Sequence, residues 1–552
     1  MIFTPTERFL SLFTTLRPNE GRGVMLLCVQ AFTILFVYYL LKVIRDPLIL
    51  AEGSAELKSY TNAMQAAILM VVVPVFARVY HRLGHEAAKH ILISRIMLFF
   101  ISNVLLFAFA YNAGWPIAIA FYVWLGIFSV MVLALFWGFS ADLYNVKSGQ
   151  RIFPVVAAAA SGGAYLGAQA AGWLNPIIGH DGTMLLAGLL LLIPWWFCGR
   201  VENTIPPGSA SLIADEFHDK PPPVSEGFMV VFRSYYLTMI ALFIILMNLV
   251  NTNGEYILSA FVTNEADALE AAGALVGTRG DFMTSFYSSY FAWFTLLGFL
   301  IQLFLVSRIF DRIGLKGALL VLPALMVGSY SLMLVFPILA VVRVAMIAEN
   351  SISYSLLNTT RHALFLPVRR EEKYVGKNCI DTFFFRCGDV LSAVAVYVGS
   401  TLVGIGLAGF IVTNLVLAAI LFWFAWLIGN RNQGVIEENL GNLPPQVGLP
   451  LPDMDIPAGK VSDLVMREDT FYDPDEGDAL KYHAYSHFKG GLPAWVKFDA
   501  LHRRFEFAPP AGSEGSAHIR VVATDFDGAE AELSFRVNFS PNIDETKFEG
   551  SK

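Results

Sequence analysis

Apolar residues fill most of the first 430 positions, in stretches of about twenty broken by short polar turns. Twelve such stretches are centred near Phe36, Val71, Phe100, Val123, Ala164, Leu190, Phe243, Phe294, Leu325, Ile347, Val394 and Leu421. A helix needs about 20 apolar residues to cross a bilayer, so the pattern predicts twelve spanning helices. The run Ala157 to Gly172 is rich in Gly and Ala; small residues let backbones approach, which predicts a helix packed inside the bundle. Phe9, Leu10, Phe13 and Leu16 have helical spacing beside three arginines, as in an interfacial amphipathic segment, and no signal peptide is expected. After Asn432 the period changes. His518 to Thr524 and Glu532 to Val537 alternate apolar and polar residues between turn signals, the pattern of half-buried strands. The expected fold class is an all-α polytopic membrane protein followed by a small all-β sandwich.

The longest polar break, Val201 to Tyr235, carries Pro206-Pro207 and Pro221-Pro222-Pro223 and reads as a linker. It divides the helices six and six, the plan of a two-lobed secondary transporter. The expected organisation is an N-terminal segment 1–23, a six-helix bundle 24–200, a linker 201–235 and a second bundle 236–430. A linker 431–456, a sandwich 457–540 and a tail 541–552 follow. Composition sharpens this. The chain is 56% hydrophobic and 15% charged with mean hydropathy +0.57, against about 25% charged in soluble domains, which excludes an ordinary soluble enzyme. A net charge of −7 argues against a nucleic-acid partner. The four cysteines fall in apolar runs without metal or disulfide spacing. Eighteen Lys and Arg fall in one set of loops and two, Lys58 and Arg279, in the other. The positive-inside rule then places both termini in the cytoplasm of a bacterial inner membrane.

Ionisable groups at membrane depth are costly and usually functional. Lys42, Arg45 and Asp46 share one face of the first helix, with Pro47 after them. They either meet a substrate's charge or snorkel to the interface. The seventh helix carries a polar stripe of Asn248, Asn251, Thr252 and Glu255, with Gly254 giving room for a break. Glu349 and Asn350 lie on the tenth helix, with Tyr354, Asn358 and Arg361 down one side; Asp381, Arg386 and Asp389 lie on the eleventh. For these last two helices an internal ion-pair network competes with substrate contact or proton coupling; Arg386 and Asp389 could simply neutralise one another. The candidate binding residues are Lys42, Arg45, Asn248, Asn251, Asn350 and Arg386. The candidate coupling or ion-pair residues are Asp46, Glu255, Glu349, Asp381 and Asp389. No phosphate-binding loop, nucleophile elbow or zinc-type His pair occurs, so an enzyme is not expected.

Asp311-Arg312-Ile313-Gly314-Leu315-Lys316, between the eighth and ninth helices, resembles the loop signature of the major facilitator superfamily. Three further strings resemble the ATP:ADP antiporter family of nucleotide transporters over roughly residues 20–430. They are Tyr38-Tyr39-Leu40-Leu41-Lys42-Val43-Ile44-Arg45-Asp46, then Leu135 to Asp142 with Arg151-Ile152-Phe153-Pro154, then Arg361-His362-Ala363-Leu364 with Lys373 to Asp389. Three positions depart from that pattern. Leu125 and Asn251 stand where such exchangers carry Glu, and Asp389 where they carry Lys. The resemblance therefore implies a nucleotide-transporter-like protein that is not a strict ATP/ADP exchanger.

In the tail, Asp473 to Leu480, Leu492 to Asp499 and Ala523 to Gly528 resemble cadherin-like, immunoglobulin-type bacterial repeats, which implies a sandwich with Trp495 buried. Asp473, Asp475, Asp478, Asp525 and Asp527 could bind Ca²⁺ through hard oxygens, or could be turn residues with solvated charges. No other cofactor is expected. The functional expectation is secondary active transport of a small anionic or phosphorylated solute, a nucleotide among the candidates, across the lipid bilayer. The alternative is a transporter-like scaffold or receptor whose tail recruits a protein partner.

Overall fold

The computed structural model describes residues 20–84, 89–144, 146–202, 224–368, 372–440, 444–474, 480–486, 491–525 and 528–541. They fall into two compact units, Met1–Asn432 and Gln433–Lys552.

In the first unit each of the twelve apolar stretches lies in a helix. The first four helices are Gly21–Glu52, Ala55–Gly84, Lys89–Asn112 and Ala118–Leu143. Among the described residues nine helices are long and apolar enough to span a membrane. The difference from twelve has two local causes. The fifth and sixth helices are joined across Val146–Leu190, with Leu192–Glu202 continuing the sixth; Gly179 at φ +72° marks the turn between them. The tenth and eleventh are each divided into shorter α and π segments. Leu339–Ile352 passes through the π turn Ser353–Leu357 into Asn358–Ala363, and the eleventh contains π turns at Glu372–Gly376, Ile380–Phe384 and Val398–Val403. The seventh, eighth, ninth and twelfth helices lie in Tyr235–Ala271, Arg279–Phe304, Val306–Val335 and Leu407–Leu440.

Local chemistry fixes several ends. Thr278 and Asp281 form a reciprocal capping box at the start of the eighth helix, Asp281 N donating to Thr278 Oγ1 at 3.2 Å and Thr278 N to Asp281 Oδ2 at 3.0 Å. Gly314, inside the loop signature, adopts φ +65°, a left-handed conformation that side chains disfavour; Asp311 and Arg312 beside it are exposed, and Lys316 Nζ lies 5.9 Å from the Trp426 ring. Part of the expected linker is helical: Val224–Arg233 sets Phe228 5.4 Å from Phe383 and 5.5 Å from Phe384. Its apolar positions recur at helical spacing, a signal masked by the prolines before it. Residues 203–223 and the N-terminal segment 1–19 lie outside the described residues.

The small-residue run packs as expected. Gly163 and Gly167, one turn apart, face the backbone carbonyls of Phe32 and Phe36 so closely that neither position has room for a Cβ. The outer surface is apolar: Phe109 is 69% exposed and Leu106 62%. Large contiguous apolar surface is stable against lipid rather than water. The chain is a multi-pass membrane protein with a two-lobed, major-facilitator-type helical architecture.

The second unit is a sandwich. One sheet has the order β2 (Met454–Pro457), β9 (Glu530–Ser540), β8 (Gly515–Thr524) and β5 (Lys481–Ser486). The other is β3 (Ser462–Val465), β7 (Arg504–Phe507) and β6 (Val496–Asp499). β1 (Gln446–Val447) pairs with β4 (Phe471–Tyr472). Alternate residues turn inward, so Ile519, Val521, Phe535 and Val537 meet Phe505 and Phe507 in the core. β2 runs parallel to β9, with Met454 opposite Val537, so the sandwich starts before the expected residue 457; Pro452 and Pro457 hid the short strand between them. Trp495 is half-buried rather than buried. Its ring lies 4.9 Å from Phe539 and 6.5 Å from Phe507, at the margin of the core.

Candidate functional site

A cavity of about 270 Å³ lies between the two lobes, walled by the first, second and fourth helices on one side and the seventh, eighth, tenth and eleventh on the other. Tyr38, Lys42, Arg45, Asp46, Lys58, Glu255, Arg386 and Asp389 line it, with Tyr122, Tyr290, Phe291, Tyr354 and Phe385 supplying aromatic walls. A second space of about 200 Å³ shares Asn248, Asn251, Tyr354 and Phe385 with it and reaches Asn358 and Arg361.

The charges of the first helix divide into two kinds. Arg45 Nε and a terminal guanidinium nitrogen lie 2.9 and 2.8 Å from Asp46 Oδ1, and the guanidinium covers the Tyr122 ring at 4.0 Å. Lys58 of the second helix closes the group, its Nζ 3.3 Å from Asp46 Oδ2 and 2.9 Å from Ser259 Oγ. Lys42 has no such partner. Its ammonium faces four rings, with Phe291 nearest at 4.7 Å, then Tyr39 at 5.5, Phe294 at 5.8 and Tyr38 at 5.9 Å. Among the described residues no carboxylate lies within ion-pair distance of it. Ring quadrupoles attract a cation but offset only part of its desolvation. Lys42 is 9% exposed and Arg45 7%, so neither snorkels to an interface.

Lys58 corrects the loop count. It is 5% exposed and belongs to the bundle interior, which leaves Arg279 alone in the sparse loop set, 2.9 Å from Asp267. Removing the carboxylate between Arg45 and Lys58 should be severe, because it strands two buried cations. Asp46→Asn is expected to cost about 3–5 kcal/mol. Thermal unfolding in detergent would read this as a large fall in melting temperature, partly restored by adding Lys58→Met.

In the second lobe Asp389 does not neutralise Arg386. Its Oδ1 accepts from Thr252 Oγ1 at 2.8 Å and from Asn62 Nδ2 at 3.2 Å. Arg386 lines the cavity, and among the described residues no carboxylate comes within ion-pair distance of it. Glu255 faces the same space without a cation at ion-pair distance among the described residues. Asn248 donates to the Phe385 carbonyl at 2.8 Å; Asn251 Oδ1 is buried without a partner.

Among the described residues, four hydrogen bonds join the lobes in the half of the bundle remote from the linker. Besides Lys58–Ser259 and Asn62–Asp389, Tyr256 Oη donates to Glu56 Oε1 at 2.8 Å and Ser288 Oγ to the Ala168 carbonyl at 2.8 Å. They close the cavity at that end.

Other candidates stand away from it. Asn350 donates to Tyr290 Oη at 2.8 Å and to the Met346 carbonyl at 3.1 Å, bracing the cavity wall from behind. Glu349 is fully buried inside the second lobe, one oxygen accepting from Tyr330 Oη at 3.3 Å. The stripe of Asn350, Tyr354, Asn358 and Arg361 on the tenth helix therefore turns its first member into the lobe and only the other three towards open space. Asp381 pairs with Lys377 at 3.2 Å and Arg361 at 3.7 Å, an ion-pair role at the linker end. Sequence reasoning missed Lys58 and the aromatic walls; single tyrosines in apolar helices look like packing residues until a cavity exposes them.

In the sandwich, Asp525 closes the turn between β8 and β9, its Oδ1 accepting from Ala529 N at 2.8 Å. Asp473 is half-buried, and Asp475, Asp478 and Asp527 lie outside the described residues. Among the described residues no group of three or more His, Cys, Asp or Glu gathers as a metal site.

Comparison with known proteins agrees with this architecture. Residues 444–540 match the family model He_PIG, described as "Putative Ig domain". The chain is 22% identical over 460 residues to "ADP,ATP carrier protein 1" of Chlamydia muridarum, covering 70% of this chain and 83% of that protein. It is 21% identical over 458 residues to the protein of the same name from Chlamydia trachomatis. Among solved structures, the nucleoside transporter NupG superposes with TM-score 0.52 at 11% identity, covering 75% of this chain and 99% of that one. An inward-facing bacterial homolog of the human lysosomal transporter Spinster superposes with TM-score 0.51 at 12% identity, covering 76% and 99%.

Proposed function

We propose that the chain is a secondary active transporter that carries a small anionic or phosphorylated solute by alternating access. One observation carries this reading: Lys42 and Arg386 face a common central cavity with no carboxylate at ion-pair distance among the described residues. Two cations left unneutralised at membrane depth are best accounted for by an anionic ligand that neutralises them. The relatives named as ADP,ATP carriers support a nucleotide-like solute. Asp389 beside Arg386 argues against dense triphosphate charge, so strict ATP/ADP exchange is not the proposed activity. Counterflow in proteoliposomes with labelled nucleotides and sugar phosphates tests the proposal. Saturable exchange of at least one anion is expected, and no exchange across the panel would refute it in favour of a scaffold.

Glu255 is the proposed coupling group, since it faces the cavity with no cation at ion-pair distance among the described residues. Glu255→Gln should lose accumulation driven by a pH gradient while keeping exchange at equal concentrations. Asp389→Asn should damage both modes, because Asp389 ties the eleventh helix to the second and seventh. Uptake with and without an imposed ΔpH, beside counterflow, reads the two apart. Wild-type uptake indifferent to ΔpH would remove the coupling role from Glu255.

Both termini are proposed to be cytoplasmic in a bacterial inner membrane. The burial of Lys58 sharpens the loop asymmetry on which this rests. A reporter fused after Ser540 should be active only in its cytoplasmic form, and periplasmic activity would reverse the assignment.

A further inference from the structure

An apolar chamber of about 340 Å³ lies beside the central cavity, between the fifth and eighth helices in the half of the bundle nearer the linker. Ala157, Ala160 and Ala164 form one wall, Gly298 and Phe299 another, and no charged residue lines it. The two spaces share Tyr354 and the ring cluster around one cation. Of the four rings around the Lys42 ammonium, Tyr38 and Phe291 line the polar cavity, whereas Tyr39 and Phe294 line the apolar chamber. Tyr354 borders both spaces and stacks on Phe294 at 5.6 Å. A charge held at Lys42 is therefore parted from the uncharged chamber by aromatic rings alone.

Resting on the transport reading above, we propose that the solute is an anionic amphiphile, its phosphate or carboxylate head at Lys42 and its unbranched apolar chain in the chamber between the fifth and eighth helices. The head's charge complements Lys42, and transfer of the chain out of water favours the chamber. Small residues along the fifth helix leave room for an apolar chain, and the scarcity of polar groups there leaves the edge of a nucleobase few partners.

The test compares methyl phosphate with hexyl phosphate, both water-soluble, by calorimetric titration into the full chain in lipid nanodiscs, with empty nanodiscs subtracted. Hexyl phosphate is expected to bind at least about tenfold more tightly, since each buried methylene adds favourable transfer free energy. Ala157→Phe, which fills the chamber from an exposed position, should bring the hexyl-to-methyl ratio towards one. Lys42→Ala should weaken binding of both at least about tenfold. Equal affinity for the two esters in the wild-type chain would overturn the amphiphile and leave the anion site standing. Tighter binding of adenosine monophosphate than of hexyl phosphate would also overturn it, by giving the chamber to a base. Binding of none of the three would overturn the anion site as well. The wild-type ratio decides even where the Ala157 variant fails to fold.

Discussion

Lys42→Ala is expected to weaken uptake at least about tenfold while leaving the protein folded. Within the bundle the ammonium is held by rings alone, so its removal breaks no ion pair and strands no buried carboxylate. The loss falls on the ligand. A charge-assisted contact contributes about 1.5–3 kcal/mol, which converts to roughly 10- to 150-fold weaker binding at about 1.4 kcal/mol per decade. Arg386→Ala should act in the same direction, and the double variant should show no saturable exchange. The readout is initial uptake rate in proteoliposomes, with melting temperature in detergent as the folding control. Wild-type uptake in both single variants would place the substrate elsewhere. Arg45→Ala should behave differently: it removes a partner of Asp46 and lowers the melting temperature, because Arg45 already has its counter-ion.

The second large effect concerns folding. Gly167→Val should prevent accumulation of monodisperse protein, since any side chain there meets the carbonyl of Phe36 on the first helix. Two backbones in contact cannot part by a rotamer change, and overpacking of this kind costs about 1–3 kcal/mol or more. Gly163→Ala should act alike through Phe32. Its neighbour supplies the control, because a Cβ at Gly162 meets nothing within 4 Å. Gly162→Ala is expected to be neutral. Size-exclusion profiles of the three variants decide it, and a monodisperse Gly167→Val peak matching wild type would contradict the packing.

The contrast between these sites shows what the residue pattern can reveal. Twelve apolar runs and the close-packed glycine helix follow from periods and residue size, which are local properties. Charge partners are not local. Arg386 and Asp389 are spaced to meet on one helix, yet the carboxylate is taken by Thr252, 137 positions away, and by Asn62, 327 away. Lys58 looked like a loop cation because it sits near a helix start; its hydroxyl partner is 201 positions distant. Asn350 and Tyr354 are spaced to share one face of a regular helix. The π turn at Ser353–Leu357 changes that period between them, so one stripe serves two different surroundings. The edge strand β2 was hidden for the opposite reason: four residues between prolines are too short for a period to show.

Those π turns also make the two halves mechanically unequal. In the first lobe, glycines clamp the first and fifth helices backbone to backbone, a joint with no slack. In the second, the tenth and eleventh helices carry wide turns whose hydrogen bonds skip a residue, and such turns are where helices bend. Tyr354 sits inside one of them, while Phe385 and Arg386 directly follow another. A bend at either turn would swing an aromatic wall or a cation of the cavity while the first helix, which carries Lys42, stays clamped to the fifth. In the proposed transport cycle the first lobe would then be an anvil bearing the fixed charge, and the second the jaw that moves against it.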